Sequence, residues 1–463
     1  MLDQSFSSNN FYSILTYENR KGMNLEKQYF EDDIFKKYTL EVKRYNEAIN
    51  KRRKETIEKD VFYRYKRFIN YLKKNTKKEK EEKLLELLQK VSDNILKSDF
   101  KLNITTGTSR GKTIYKIDDT PESYFTLKQL QYNFRKLYKV KQSNRFEIVN
   151  QVKNLLNDRF PKYIIKTDLK GFYENIPIDI LLQKIHEDNL LSPLSKKFLR
   201  QIVKKYKELS GATKGIPRGI GVSAYLSELY LRDLDRSIRN LPYISYYQRY
   251  VDDMILIFTP ETSNVIPSDF LSKVENLVVG KGLELNKTGD KTQEINLLQE
   301  VTGGTINTYD LEYLGYKYTF EIKSKRKNIS EIIVSFSDNK KSRYKTKIDL
   351  VFSAYNKLKT RDKNRAYRLL KSRVKFLTSN TRLANNKKRI IIGIYFSNPL
   401  LSNENDLTEI DNYLAAKILA EVSDVKQQTA LNQYTFIEGF KQKRFVPFTA
   451  YQLQSIMKIW NTL

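Results

Sequence analysis

Apolar positions recur at helical spacing through most of the first hundred residues. Phe62, Tyr65, Ile69 and Leu72 fall at i, i+3, i+7 and i+10, and Leu84, Leu85, Leu88, Val91 and Ile95 keep the same period. The spacing predicts helix from about Leu25 to Leu96. Between the two sets, the run K-K-N-T-K-K-E-K-E-E-K mixes both signs of charge, as a solvated helix face does. From Phe100 to Ile117 the pattern turns strand-like around a glycine-containing tip, and 123–158 returns to helix, ending near Asn157. Strands and helices then alternate from Tyr163 to Tyr318 with turn signals between them. From about Ile348 the chain is mainly helical and strongly basic. No internal repeat and no Pro- or Ser-rich linker divides it.

The tip G-T-S-R-G-K-T, Gly107 to Thr113, invites comparison with a phosphate-binding loop. That loop needs four residues between its glycines and a helix after the Lys-Thr pair. Here three residues intervene, and I-Y-K-I-D-D continues as a strand. A basic β-hairpin suited to touching phosphates is the better reading.

Charge changes the picture more than length does. Lys and Arg total 84 against 54 Asp and Glu, a net charge of +30, which points to a polyanionic partner. No run approaches the ~18 apolar residues of a membrane span; the cleanest, Ile390–Phe396, is broken by Gly393. The first ten residues lack the pattern of a secretory signal, so a cytoplasmic location and a nucleic-acid partner are expected. The chain has no cysteine and one histidine, His186. Thiolate chemistry, Cys/His zinc sites and two-histidine hydrolases such as HNH-type nucleases are excluded. Any metal must sit on carboxylate oxygens, which suit magnesium or manganese. His186, in L-L-Q-K-I-H-E-D-N, is expected to be an ordinary surface or packing residue.

Two acidic strand ends stand out. In Y-Y-Q-R-Y-V-D-D-M-I-L-I-F, Tyr246 to Phe258, adjacent carboxylates Asp252 and Asp253 sit between two β-prone runs. Two such charges ~4 Å apart repel by roughly 4 kcal/mol at a partly exposed site, so something must compensate them. Upstream, in Y-I-I-K-T-D-L-K-G-F-Y-E-N-I-P, Asp168 closes another strand, 84 residues before Asp252. If the two strands are neighbours, the three carboxylates form one cluster, and two divalent cations would neutralise it.

At this point the residues carry a family resemblance. Y-V-D-D in a strand–turn–strand, preceded by T-D-L-K-G-F-Y-E-N-I-P, resembles the palm motifs of reverse transcriptases. G-I-P-R-G-I-G-V-S-A-Y-L-S-E-L-Y-L (Gly215–Leu231), L-E-L-N-K-T-G-D-K-T-Q (Leu283–Gln293) and L-E-Y-L-G-Y (Leu311–Tyr316) follow in that family's order, and N-R-F-E-I-V-N-Q-V-K-N-L-L resembles its fingers segment. The finer wording F-Y-E-N-I-P, G-V-S-A-Y-L-S-E-L-Y-L-R-D-L-D and the later I-I-I-G-I-Y-F-S-N-P-L-L resembles the bacterial defence-associated, abortive-infection group.

The resemblance implies an α+β right-hand polymerase fold, with fingers and palm built from antiparallel sheet plus helices and a mainly helical thumb. It divides the chain into an N-terminal helical extension (1–100), fingers (101–160), palm (161–322) and basic thumb with C-terminal region (323–463). Asp168, Asp252 and Asp253 become the metal and catalytic carboxylates, with the Leu169 carbonyl as a further ligand to two Mg2+ ions, or Mn2+. Tyr173 takes the place of the sugar gate, with Phe172 a core aromatic beside it. Gly215, Pro217, Arg218 and Gly219 form a turn where backbone approaches a base pair, and Ser223 starts the next helix, where an N-cap is the plainer role. Lys291 matches the lysine that protonates pyrophosphate; Arg145, with Lys112 behind it, is the candidate triphosphate contact. Glu174 and Asp179 are expected on a helix surface. Basic clusters at 359–375 and 385–389 would track the duplex backbone.

The implied activity is RNA-directed DNA synthesis from dNTPs on an RNA template, in antiphage defence with a dedicated non-coding RNA. No ribonuclease H pattern follows the palm, and a homo-oligomer is compatible with the sequence. Two rivals remain: untemplated or tyrosine-primed synthesis by the same palm, for which 32 tyrosines offer candidates, and an inactive RNA-binding scaffold, disfavoured by the three aspartates.

Overall fold

The computed structural model describes residues 2–460 apart from 21–22, 54–55, 110, 142, 159, 262–267, 299–305, 324–327, 330–331 and 384–389. The N-terminal stretch forms helices Ser8–Arg20, Leu25–Tyr29, Asp33–Arg53 and Lys59–Leu96. The first lies upstream of the predicted start, because it buries only Phe11, Leu15 and the polar Glu18, too few apolar positions to announce a period. The predicted hairpin follows as β1 (Ile104–Ser109) and β2 (Lys112–Ile117), paired from Ile104–Ile117 to Ser109–Lys112.

The expected helix over 123–158 is two helices, Pro121–Leu137 and Arg145–Asn157. Thr120 caps the first by accepting from the Ser123 N–H, with Pro121 at the first helical position. The break comes where Lys139 takes φ +51° and the Asn144 side chain accepts from the Phe146 N–H to start the second. Apolar spacing alone passes over such a cap.

The central sheet is antiparallel and contains β3 (Tyr163–Asp168), β4 (Ile244–Tyr250), β5 (Asp253–Phe258) and β6 (Gln293–Asn296) in the order β4-β5-β3-β6. Its inner strands are covered on both faces, which is why they appear as apolar runs rather than alternations. Ile165, Met254, Leu256 and Phe258 join a core with helices Ser223–Arg239 and Ser268–Val279, where Phe258 stacks on Phe270 at 4.3 Å. Ile164, Ile255, Ile257 and Ile295 join a second core with Ile148, Val149, Val152 and Leu156 of helix Arg145–Asn157.

That second core also takes in the hairpin of β7 (Ile306–Tyr313) and β8 (Tyr316–Lys323). Its two-residue turn places Leu314 at φ +47° and Gly315 at φ +73°, a twist that matches the strands it joins. C-terminal helices begin at Asp338, ten residues before the predicted Ile348, and pack their own core around Phe352, Leu370, Val374, Leu407 and Ile410. Two short strands, Asn380–Arg382 and Ile391–Gly393, interrupt the helical sequence there.

Candidate active site

The β3–β5 register sets Asp168 directly opposite Asp253, and β4–β5 pairs Tyr250 with Asp253, leaving Val251 and Asp252 as a two-residue turn. Residues 84 positions apart in sequence therefore meet at one strand end. The Leu169 N–H donates to the Asp252 carbonyl at 3.3 Å and the Asn286 N–H to the Asp168 carbonyl at 2.8 Å. From the other side, the Tyr313 hydroxyl donates to the Asp253 carbonyl at 3.3 Å. Hydrogen bonds to their backbone carbonyls, two from backbone N–H groups and one from a tyrosine hydroxyl, thus fix the acidic strand ends.

The turn itself is strained. Val251 sits at φ +61°, where a β-branched residue costs of order 1–3 kcal/mol. Arg249 holds it there: the guanidinium donates to the Val251 carbonyl at 2.6 Å, to both Glu228 oxygens and to both Asp235 oxygens. Only 5% of the Arg249 side chain is exposed. Two carboxylates from helix Ser223–Arg239 so anchor the cation that shapes the Asp252–Asp253 turn.

The negative charge of the site is only partly compensated by nearby cations. Burial, then the charges of Asp252 and Asp168, push the Asp253 carboxyl up to about 6. Burial also raises Asp252, as does Asp168, while Arg218 and Lys112 pull the other way. Asp168 Oδ1 is buried with no hydrogen-bond partner, and Oδ2 lies 3.5 Å from the Lys291 ammonium. Lys166, buried on β3, donates to the Asp290 carbonyl at 2.9 Å and so steadies the turn that presents Lys291.

Among the described residues no three acidic or histidine side chains stand close enough to cage an ion as they are. The donor chemistry nevertheless fits a divalent cation: hard carboxylate oxygens, one orphaned, in a pocket whose repulsion a dication would cancel.

Beyond Asp168 the chain turns at Gly171, φ +52°. Phe172 is buried in the main core, and Tyr173 meets it edge-on at 5.5 Å while remaining partly exposed. The Arg218 guanidinium lies 5.0 Å from the Tyr173 ring centre and pairs with Glu174. Asp179 pairs with Lys207, and His186 is exposed on helix Ile178–Glu187. The Gly215–Gly219 turn is stitched to this segment, the Gly215 N–H donating to the Ile176 carbonyl and the Ile216 N–H to the Tyr173 carbonyl. Pro217 is buried there, and its carbonyl accepts from the Ser223 hydroxyl at 2.7 Å. Val222, not Ser223, occupies the N-cap position, so the hydroxyl closes the turn instead of capping the helix.

The β1–β2 hairpin docks on this turn. The Tyr115 N–H donates to the Arg218 carbonyl at 2.7 Å, and a cleft of about 470 Å3 lies between Lys112, Gly171, Glu174, Ile216 and Arg218. Gly219, at φ +101°, leaves room for this approach; a Cβ there would stand 2.7 Å from the Tyr115 carbonyl oxygen. Gly219→Ala is expected to cost about 1–3 kcal/mol in denaturant unfolding. Unchanged unfolding would show that the hairpin does not depend on this contact.

Arg145 stands elsewhere. Its guanidinium donates to the Leu314 carbonyl and packs against Gly315, bracing the β7–β8 turn. Of the two basic clusters, 359–375 spans the end of helix Asp338–Lys359 and helix Lys363–Thr378, whereas 385–389 lies outside the described residues, as does Arg110 in the hairpin tip. Sequence reasoning passed over Arg249 and Lys166. A cation inside a β-prone run was the available signal, together with Glu228 and Asp235 seven residues apart on one helix face.

Residues 95–318, just under half of the chain, match the family model for reverse transcriptase (RNA-dependent DNA polymerase). The match spans the hairpin, both acidic strand ends and the β7–β8 turn. No curated protein matches the chain.

Among solved structures, the chain is similar to telomerase from Candida albicans in complex with a TWJ fragment of telomeric RNA, at 15% identity and TM-score 0.31, covering 80% of this chain and 64% of that one. It is also similar to apo telomerase from Candida tropicalis, at 14% identity and TM-score 0.34, covering 78% and 64%. The chain thus spans less than two thirds of these telomerase chains. Among the described residues no helix is long and apolar enough to cross a membrane.

Proposed function

We propose that the protein is an RNA-directed DNA polymerase that adds deoxynucleotides to a primer 3′-hydroxyl. The observation that carries this reading is the register pairing Asp168 with Asp253 beside the Asp252 turn. In this reading Asp168, Asp252 and Asp253 hold two magnesium ions, or manganese, with the Leu169 carbonyl as a further donor. Bound there, the ions would activate the primer hydroxyl and neutralise the departing pyrophosphate.

The chain's own groups do the rest. Lys291 keeps a proton beside Asp168 for the leaving group. The Gly215–Gly219 backbone lies under the nascent base pair, and Arg218 and Lys112 meet phosphate oxygens. Tyr173 supports the deoxyribose and excludes a 2′-hydroxyl.

The direct test supplies purified protein with magnesium, dNTPs and a primed RNA. Product lengths that follow the template length support the reading. RNA binding without any incorporation would favour the scaffold, and DNA found covalently on a tyrosine by mass spectrometry would favour protein priming. Tyr173→Ala is expected to raise ribonucleotide over deoxynucleotide use by at least about tenfold in kcat/KM, because the rejecting contact is a single side chain. An unchanged ratio would remove Tyr173 from the sugar contact.

The finer assignment, a cytoplasmic bacterial defence enzyme working with a dedicated non-coding RNA, is supported by the wording of Phe172–Pro177 and Gly221–Asp235. Sequencing the RNA that co-purifies with the protein tests it. One enriched transcript supports the assignment, and an unselected mixture of cellular RNA would end it.

A further inference from the structure

The N-terminal arm carries a surface that the palm leaves without a task. Helices Asp33–Arg53 and Lys59–Leu96 run antiparallel, with Lys37 meeting Glu79 and Lys73 lying over the Tyr45 ring. Leu84, Leu88, Val91 and Ile95 enter the main core. Phe62, Ile69 and Thr76, each seven residues from the next, are buried in the first half of the same helix as one seam of the arm.

Opposite that seam, Arg64, Arg67, Phe68, Tyr71, Lys74 and Lys78 fall at i, i+3, i+4, i+7, i+10 and i+14 on one helix face. Phe68 is 59% exposed and Tyr71 63%. Among the described residues no carboxylate pairs with Arg64, Arg67 or Lys74, although carboxylates pair with Lys77, Lys78 and Lys80 further along. From Lys59 to Lys80 nine cations stand against two acids, Asp60 and Glu79. A second copy of this chain would bring the same excess and be repelled, whereas a polyanion would be attracted.

We propose that this face binds single-stranded RNA ahead of copying, Phe68 and Tyr71 stacking unpaired bases while Arg64, Arg67 and Lys74 meet the phosphates. Exposed rings flanked by unpaired cations are what sequence-tolerant binding of a single strand uses, and stacking needs bases that are not already paired. The stripe is about 21 Å long at the helical rise, enough for a few nucleotides. The choice of RNA rests on the RNA-directed reading above: in that reaction the uncopied template is unpaired, while the product is held in a duplex.

The test uses the full-length protein and fluorescence anisotropy with an unstructured 30-nucleotide RNA. Phe68→Ala/Tyr71→Ala is expected to weaken binding at least about tenfold, since each stacked base contributes that order. Arg64→Gln/Arg67→Gln is expected to reduce the slope of log affinity against log salt by about 0.7 for each phosphate released. Both pairs are solvent-exposed, so unchanged melting curves are expected to accompany these losses.

Primer extension on a preformed RNA–DNA duplex at saturating concentration is expected to persist in both variants. Wild-type extension combined with unchanged RNA affinity in the variants overturns the arm proposal and leaves the polymerase reading standing. Loss of RNA affinity in a protein that extends nothing supports the surface while ending that reading. A loss confined to single-stranded DNA, or to self-association in sedimentation, overturns the proposal.

Discussion

Asp253→Asn is expected to lower primer extension by at least about 10^3-fold while leaving the metal-free protein as stable as before, or more so. Asparagine keeps the shape of the side chain and removes a charge that the fold holds at a cost. The wild-type carboxyl titrates near 6 against an ordinary value of 3.8, because it is buried and faces Asp252 and Asp168. At this carboxyl the native state therefore binds more protons than the unfolded state between those values. Its own contribution to the stability of the metal-free protein falls as pH rises from about 4 to about 6, then levels off.

Melting curves across that window check the sign. The stability of the wild type relative to the asparagine variant should fall with rising pH across it. Millimolar magnesium is expected to raise the wild-type melting temperature near pH 7.5 and to leave the variant nearly unmoved, since a ligand stabilises only the state it binds. Retained synthesis in the variant would refute the metal assignment. A wild-type-minus-variant difference that stays flat across that window would refute the electrostatic one.

The parts of this site legible in the sequence were those in which a short run of residues holds the whole signal. Asp168 closes one β-prone run and Asp252 and Asp253 sit between two others, while the glycines at 171, 215 and 219 mark turns whose positive φ angles suit a residue without a side chain. The alternation of elements between Tyr163 and Tyr318 was visible because the inner strands carry apolar runs, Tyr163–Ile165 and Met254–Phe258, covered from both sides.

What sequence hid was pairing. No local pattern announces that Asp168 stands opposite Asp253, that Arg145 braces Leu314, or that Asn144 starts a new helix inside an apparently continuous period. Each depends on a partner far along the chain, or on one cap bond that overrides periodicity. Ser223 shows the same limit: a hydroxyl at a helix start suggests a cap, and only the folded turn reveals that it serves Pro217.

Arg249 is the strongest case of hidden pairing, and Arg249→Met is expected to be the most destabilising single change at the palm. Removing the guanidinium leaves the partly buried carboxylates of Glu228 and Asp235 without their buried counter-charge and the Val251 carbonyl without its donor. Breaking a buried ion pair from one side typically costs about 3–5 kcal/mol. For comparison, replacing all members together is often neutral, so Arg249→Met/Glu228→Gln/Asp235→Asn should recover much of the stability in urea unfolding. It should not recover synthesis, because nothing then holds Val251 in the left-handed conformation that sets Asp252 and Asp253 in place. A triple variant that regains both stability and synthesis would show the arginine to be only a core cation. One that regains stability alone, with magnesium-dependent melting also lost, would show that the strained turn is held for the sake of the carboxylates it carries.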